Sequence, residues 1–177
     1  PPAAAQLLGS LSEQEEISIG REAANEIEKD LTLLTDAVVT AYVSELGDAL
    51  ASRSERNGLD YTFKVVDSPE INAFALPGGF IYVNRGLLEA ADNESEVAGV
   101  VGHEIGHVVA RHGAEQVQRA SYANLGLSAL GAILGGSRGG QVANVAAQMV
   151  ASGVFMKFGR DAEREADRLG AANVAAA

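Results

Sequence analysis

The residues most able to do chemistry lie together in Val100-Val101-Gly102-His103-Glu104-Ile105-Gly106-His107-Val108-Val109. Within it stands His-Glu-x-x-His, set in a strong helical pattern of apolar residues. Residues four apart on a helix share a face, roughly 6 Å apart, so the imidazoles of His103 and His107 can both reach one metal ion. Glu104 follows the first histidine directly and stands beside such an ion, where a general base is wanted to take a proton from water. Only three histidines occur in the chain, and two of them are in this motif. The alternative is a solvated helix face on which Glu104 is a surface charge. Ile105, Val101 and Val108 oppose it, because they would anchor the helix in a core. Gly102 and Gly106 keep its surface slim and suit the close approach of another helix or a substrate.

A hydrolytic zinc site needs a third protein ligand and an open position. His112 is the first candidate and fails on helical geometry. It lies five residues after His107, about 140° round a continuous helix. The chain also departs from the metzincin pattern, with Ala110 and Gly113 where glycine and histidine would stand. His112 is therefore expected to be an exposed residue beside Arg111 at the helix C-terminus, where a cation is favourable. A carboxylate serves better, and Arg160-Asp161-Ala162-Glu163-Arg164-Glu165-Ala166-Asp167 offers four. Glu163 and Asp167 share a helix face, with Gly170 on the same stripe to permit tight packing. Glu165 points elsewhere and is grouped with Arg164 and Arg168 as an outward charge. Glu163 could thus bind the metal while Asp167 hydrogen-bonds the second ring nitrogen of a ligand histidine and fixes its orientation. Alone, the segment would also pass for a solvated helix laced with Arg–Glu pairs.

The elements that must hold these groups are legible from patterning. Ser12 with Glu15 forms a capping box before a helix over residues 12–30. A second helix runs from about Asp36 to Ser54, with Val39, Val43, Leu46 and Leu50 on one stripe. Asn57-Gly58 is a turn. Tyr61 to Val66 alternates as a strand. Ile71–Leu76 and Phe80–Val83 flank Pro77-Gly78-Gly79 as a hairpin or bent ribbon. Asn93 and Glu96 cap a helix to about His112, which Gly113 ends. Further helices are expected near 115–134, 141–157 and 160–173, with Gly135 to Gly140 a lid or linker. The class is α+β, predominantly helical, with a small β-sheet beside the histidine helix.

The 177 residues suit one domain, with residues 1–11 a flexible lead and a chain expected to continue past Ala177. A formal net charge of −11 argues against nucleic acid and anionic membrane surfaces as partners. The absence of cysteine excludes disulfides, thiolate metal sites and thiol catalysis. Tyr122–Gly136 is the most apolar stretch. It is shorter than the roughly 20 residues a membrane span needs and is broken by glycines, so it reads as a buried or glycine-softened helix.

His103-Glu104-x-x-His107, followed at long range by Glu163-x-x-Ala166-Asp167, resembles the M48 peptidases, a gluzincin group. Asn72-Ala73-Phe74-Ala75-Leu76-Pro77-Gly78-Gly79 leading into Phe80-Ile81-Tyr82-Val83 resembles their soluble, exported bacterial branch. The resemblance covers about Ser12 to Gly170. It implies one zinc ion on His103, His107 and Glu163, Glu104 as general base, and Asp167 supporting His103. The implied activity is endopeptidase cleavage of unfolded or misfolded polypeptides in the periplasm or another exported location. Many members carry a further histidine or other polar group for the oxyanion. No histidine follows His112 here, so that group lies beyond Ala177 or is of another type. The expected substrate mode is addition of a peptide strand to a free sheet edge within Ile71–Val83, against Asn72, Ala73, Phe74 and Ala75. A latent zinc protein that binds unfolded chains as a chaperone is the competing class. A base at Glu104 speaks against it.

Overall fold

A computed structural model describes residues 11–127 and 158–177. The expected helix at 141–157, the glycine-rich loop 135–140 and most of the N-terminal lead lie outside the described residues. Helix α1 spans Glu13–Ile27 and starts as its sequence requires: Ser12 Oγ accepts from the Glu15 amide at 3.2 Å while Glu15 accepts from the Ser12 amide at 2.8 Å. Helix α2, Ala37–Ala51, is capped by Asp36, whose carboxylate accepts from the amides of Val38 and Val39.

Three strands follow, β1 (Thr62–Val66), β2 (Ala73–Leu76) and β3 (Phe80–Asn84), in the order β1-β3-β2. β2 and β3 form an antiparallel hairpin with Ala75 opposite Ile81, and β1 runs parallel to β3 with Phe63 opposite Ile81. The hairpin turn needs its glycines, for Gly78 and Gly79 have φ of 77° and 93°. Among the described residues, β2 is the uncovered edge strand of the sheet. β3 is central, which corrects the expectation that the whole of Ile71–Val83 is edge. The other margin of the sheet is covered where Leu34 N donates to Val65 O at 2.8 Å.

Helices α3 (Arg85–Ala90), α4 (Glu94–Val109), α5 (His112–Leu127) and α6 (Arg160–Ala176) complete the described elements. The fold is α+β and predominantly helical, as the patterning predicts. The sheet has apolar cover on both faces. Val65, Ile81 and Val83 pack with Val43 and Leu50 of α2 and Val101 and Ile105 of α4. Val66, Leu76 and Tyr82 pack on the opposite side with Ile19 and Ala23 of α1 and Val117 of α5. Strand alternation sends neighbouring residues to opposite faces, and each fully buried aliphatic side chain contributes roughly 1.5–3 kcal/mol. Of the four larger side chains on the ribbon, Leu76 and Tyr82 are buried while Phe74 and Phe80 are partly so. No helix among the described residues is long and apolar enough to cross a membrane.

The histidine helix ends earlier than expected. Its last residue is Val109, and the left-handed residue that turns the chain is Arg111, with φ of 61°, not Gly113. His112 then opens α5. A non-glycine residue in this region is held by its surroundings. Arg111 Nε donates to Glu16 Oε2 at 2.8 Å and Nη2 to the Leu11 carbonyl at 2.6 Å.

Candidate metal centre

Helix α4 presents His103 and His107 one turn apart toward α6. The two helices meet through residues almost without side chains. A Cβ on Gly106 would lie 2.5 Å from the Ala166 carbonyl oxygen, and one on Gly170 would lie 2.7 Å from His103 N. This backbone-to-backbone approach brings the acids of α6 to the histidines. Glu163 Oε2 lies 3.3 Å from His103 Nε2 and 3.9 Å from His107 Nε2. The two Nε2 atoms are 3.0 Å apart.

These three groups could hold a metal ion, with one donor atom from each within 4.8 Å of the others. Ligands at about 2.0–2.1 Å from a tetrahedral ion stand roughly 3.3 Å apart, a value the three separations bracket. The donor set fits zinc chemistry, two imidazoles and one carboxylate. His103 Nδ1 lies 2.8 Å from Asp167 Oδ1, so its second nitrogen is engaged. Burial, with His103 and His112 nearby, pushes the His107 imidazole down to about 3, so the ring is neutral with a lone pair to give.

Glu104 occupies the opposite side of α4 from solvent and is only 8% exposed. Burial and the nearby Glu163 carboxylate raise its carboxyl to about 7, against the opposing pull of His103 and of the Ala75 backbone N–H. Ala75 belongs to the free edge. Asn84 N donates to Asn72 O at 3.0 Å, and alternation along the antiparallel ladder turns the backbone groups of Ala73 and Ala75 outward. The base, the edge strand and the His–His–Glu cluster therefore share one place in the fold.

The sequence profile of Peptidase family M48 matches residues 37–177. The chain belongs to peptidase family M48. This M48 chain is 32% identical over 166 residues to the beta-barrel assembly-enhancing protease of Escherichia coli (strain K12), covering 91% of this chain and 34% of that protein. It is 34% identical over 175 residues to the putative beta-barrel assembly-enhancing protease of Vibrio cholerae, covering 95% and 36%. It is 46% identical over 71 residues to the mitochondrial metalloendopeptidase OMA1 of Arabidopsis thaliana, covering 40% and 15%. The M48 chain spans about a third of the length of the bacterial relatives.

Of the residues singled out by sequence, the structure gathers His103, Glu104, His107, Glu163 and Asp167 around one point and sets Ala75 against Glu104. One expectation needs correcting. His112 is buried, only 7% exposed, with Nδ1 2.9 Å from His107 Nδ1. Rotation by 100° per residue does not carry past Val109, because the turn at Arg111 folds His112 back under the helix. Glu165 is an exposed charge beside Arg168, as expected, and its Oε2 also lies 3.4 Å from His112 Nε2. Sequence reasoning also missed Phe158, whose ring stacks on His107 at 4.1 Å between centroids. It missed Glu16 as well, fully buried and accepting from Arg56, Arg111 and the Gly78 amide. All three histidines fall between positions 103 and 112, a clustering that could have flagged the third.

Proposed function

We propose that this chain is the peptidase domain, in one piece over residues 1–177, of a zinc-dependent endopeptidase. The observation that carries the reading is the convergence of His103 Nε2, His107 Nε2 and Glu163 Oε2 beside a buried Glu104 that touches the sheet edge. His103, His107 and Glu163 would hold one zinc ion, and Asp167 would keep the His103 ring oriented. Bound there, the ion supplies Lewis acidity that polarises the scissile carbonyl and makes water easier to deprotonate.

The remaining work falls to the chain. A substrate strand lies along β2 and pairs with the outward backbone groups of Ala73 and the outward carbonyl of Ala75, whose N–H is held by Glu104, with Asn72 and Phe74 flanking. Glu104 accepts a proton as water oxygen bonds to the carbonyl carbon. When the C–N bond breaks, Glu104 returns that proton to the departing amine. Burial of Glu104 suits the exchange, since a base whose pKa lies near the working pH both takes and gives a proton readily.

Strand addition needs an extended segment, so unfolded or misfolded proteins are the substrates. The relatives' name points to chains engaged in beta-barrel assembly as one such class. A bacterial, periplasmic or otherwise exported location goes with this reading. It is supported by the resemblance to the exported branch and by the bacterial relatives.

The test is cleavage of an unfolded model protein by the wild type and Glu104→Gln, side by side, with bound zinc measured in both. The expected result is cleavage by the wild type alone, with about one zinc in each. Equal cleavage would remove Glu104 from the role of base. Silence from both, with zinc bound, would turn the reading to a binder of unfolded chains.

A further inference from the structure

His112 has both ring nitrogens engaged: Nδ1 at 2.9 Å from His107 Nδ1, and Nε2 at 3.4 Å from Glu165 Oε2. Two ring nitrogens at the first distance share a single proton. The direction of that bond follows from the far side of His107, where Nε2 faces His103 Nε2 and Glu163 Oε2. A nitrogen that gives its lone pair to a metal carries no proton, so the His107 proton must sit on Nδ1. His107 then donates to His112, whose Nδ1 must be the acceptor. The proton of His112 is thereby placed on Nε2, where it faces Glu165.

We propose that His112 is a positioning residue for the metal ligand His107, fixing its tautomer and ring plane through a relay that ends on Glu165. The inference rests on the metal-binding reading of His103, His107 and Glu163. The two ligand histidines are thus supported in different ways. His103 meets a carboxylate directly, and Asp167 is 72% exposed there, so its charge stays solvated. His107 has a side chain only 4% exposed and is stacked against Phe158, where a carboxylate would have to be desolvated. An imidazole placed between them carries the hydrogen bond outward to a carboxylate that is half exposed. Phe158 also lies 5.8 Å from the His112 ring, so it walls both imidazoles.

The test uses the full chain and zinc. Asparagine places an oxygen near the position of histidine Nδ1, and leucine has the same shape with no acceptor. Zinc affinity is measured by competition with a chromophoric chelator. His112→Leu is expected to weaken binding by about 10- to 100-fold, and His112→Asn to stay within about threefold of the wild type. Unchanged affinity in His112→Leu, or equal losses in both variants, would overturn the relay.

An imidazole nitrogen-15 spectrum of the zinc-loaded wild type reads the same point without mutation, because the chain has only three histidines. The relay requires the proton of His112 on Nε2 and that of His107 on Nδ1. A proton on His112 Nδ1 would overturn it. If His112→Leu fails to fold, Glu165→Ala tests the outer end on a half-exposed side chain, with a smaller loss of affinity expected and none counting against the relay. A wild type that takes up no zinc at His103 and His107 would instead defeat the metal-binding reading itself.

Discussion

Gly106 of α4 faces the backbone of Ala166 in α6 so closely that a methyl group on it would stand 2.5 Å from the Ala166 carbonyl oxygen. The separation of the ligand-bearing helices is therefore set by main chain against main chain. Gly106→Ala must push α6 away, taking Glu163 and Asp167 with it. We expect a stability loss of about 1–3 kcal/mol, as for other overpacked sites, together with weaker zinc binding. Gly99 is the control on the same helix, where an added Cβ would point into open space. Gly99→Ala should stabilise the fold by up to about 1 kcal/mol and leave the metal untouched. Urea unfolding and zinc titration of both variants check the pair.

The ligands on α6 should differ in rank. Glu163→Ala removes a donor, and bound zinc should fall below detection in equilibrium dialysis. Asp167→Ala removes only the partner of His103 Nδ1. The side chain is 72% exposed, so water can replace it in part, and an affinity loss of about tenfold is expected, the low end for such partners. Full zinc retention in Glu163→Ala would remove it from the ligand set.

Glu16 is a structural counterpart to these. Its carboxylate takes Arg56 Nη1 at 3.0 Å and Arg111 Nε at 2.8 Å, while the same Arg56 nitrogen donates to the Val108 carbonyl at 2.9 Å. Glu16→Ala leaves the partly solvated Arg111 without its anion and the mostly buried Arg56 with Glu13 alone, whose Oε2 lies 2.9 Å from Arg56 Nη2. Removing one partner of a buried ion pair costs about 3–5 kcal/mol, and the remaining Glu13 and the solvation of Arg111 place this loss at the low end of that range. Thermal unfolding that matches the wild type would show that the arginines find other acceptors.

Acid should act through Glu28. Burial raises its carboxyl, but hydrogen bonds from Lys64 and Tyr82 and the Lys64 charge outweigh this and hold it below its ordinary 4.5. Both donors reach the same oxygen, at 2.6 Å each. A depressed folded pKa stabilises at pH above the unfolded value and loses that contribution as pH falls through the folded one. The stability gap between wild type and Glu28→Gln should be constant above about pH 5 and close below pH 4.5. Urea unfolding along a descending pH series reads this, and a gap that widens in acid would reverse the assignment.

Local signals were legible in the chain because they act within one turn. The Ser12–Glu15 box, the Asp36 and Asn93 caps and the four-residue spacings of His103–His107 and Glu163–Asp167 are complete within short windows. The parallel pairing of β1 with β3 is not, since it depends on which margin the hairpin offers. The end of α4 is hidden from the sequence for a related reason. Glycine is the default left-handed residue, and Gly113 stands close by. Yet Arg111 takes that conformation because Glu16, 95 residues earlier, and Leu11 hold its guanidinium. Once the turn was displaced, the burial of His112 and its approach to Glu165 followed, and no helical wheel could show either.

The profile shared across the family begins at residue 37, yet Glu16 lies before it. The family profile and the physical unit of folding thus have different borders in this chain, although the bacterial relatives match 91% and 95% of it. A protein cut at the profile's border would keep every residue proposed for chemistry. It would also keep Arg56 and Arg111 as two orphaned cations at the foot of the histidine helix, with nothing to hold the left-handed turn that returns His112 to His107.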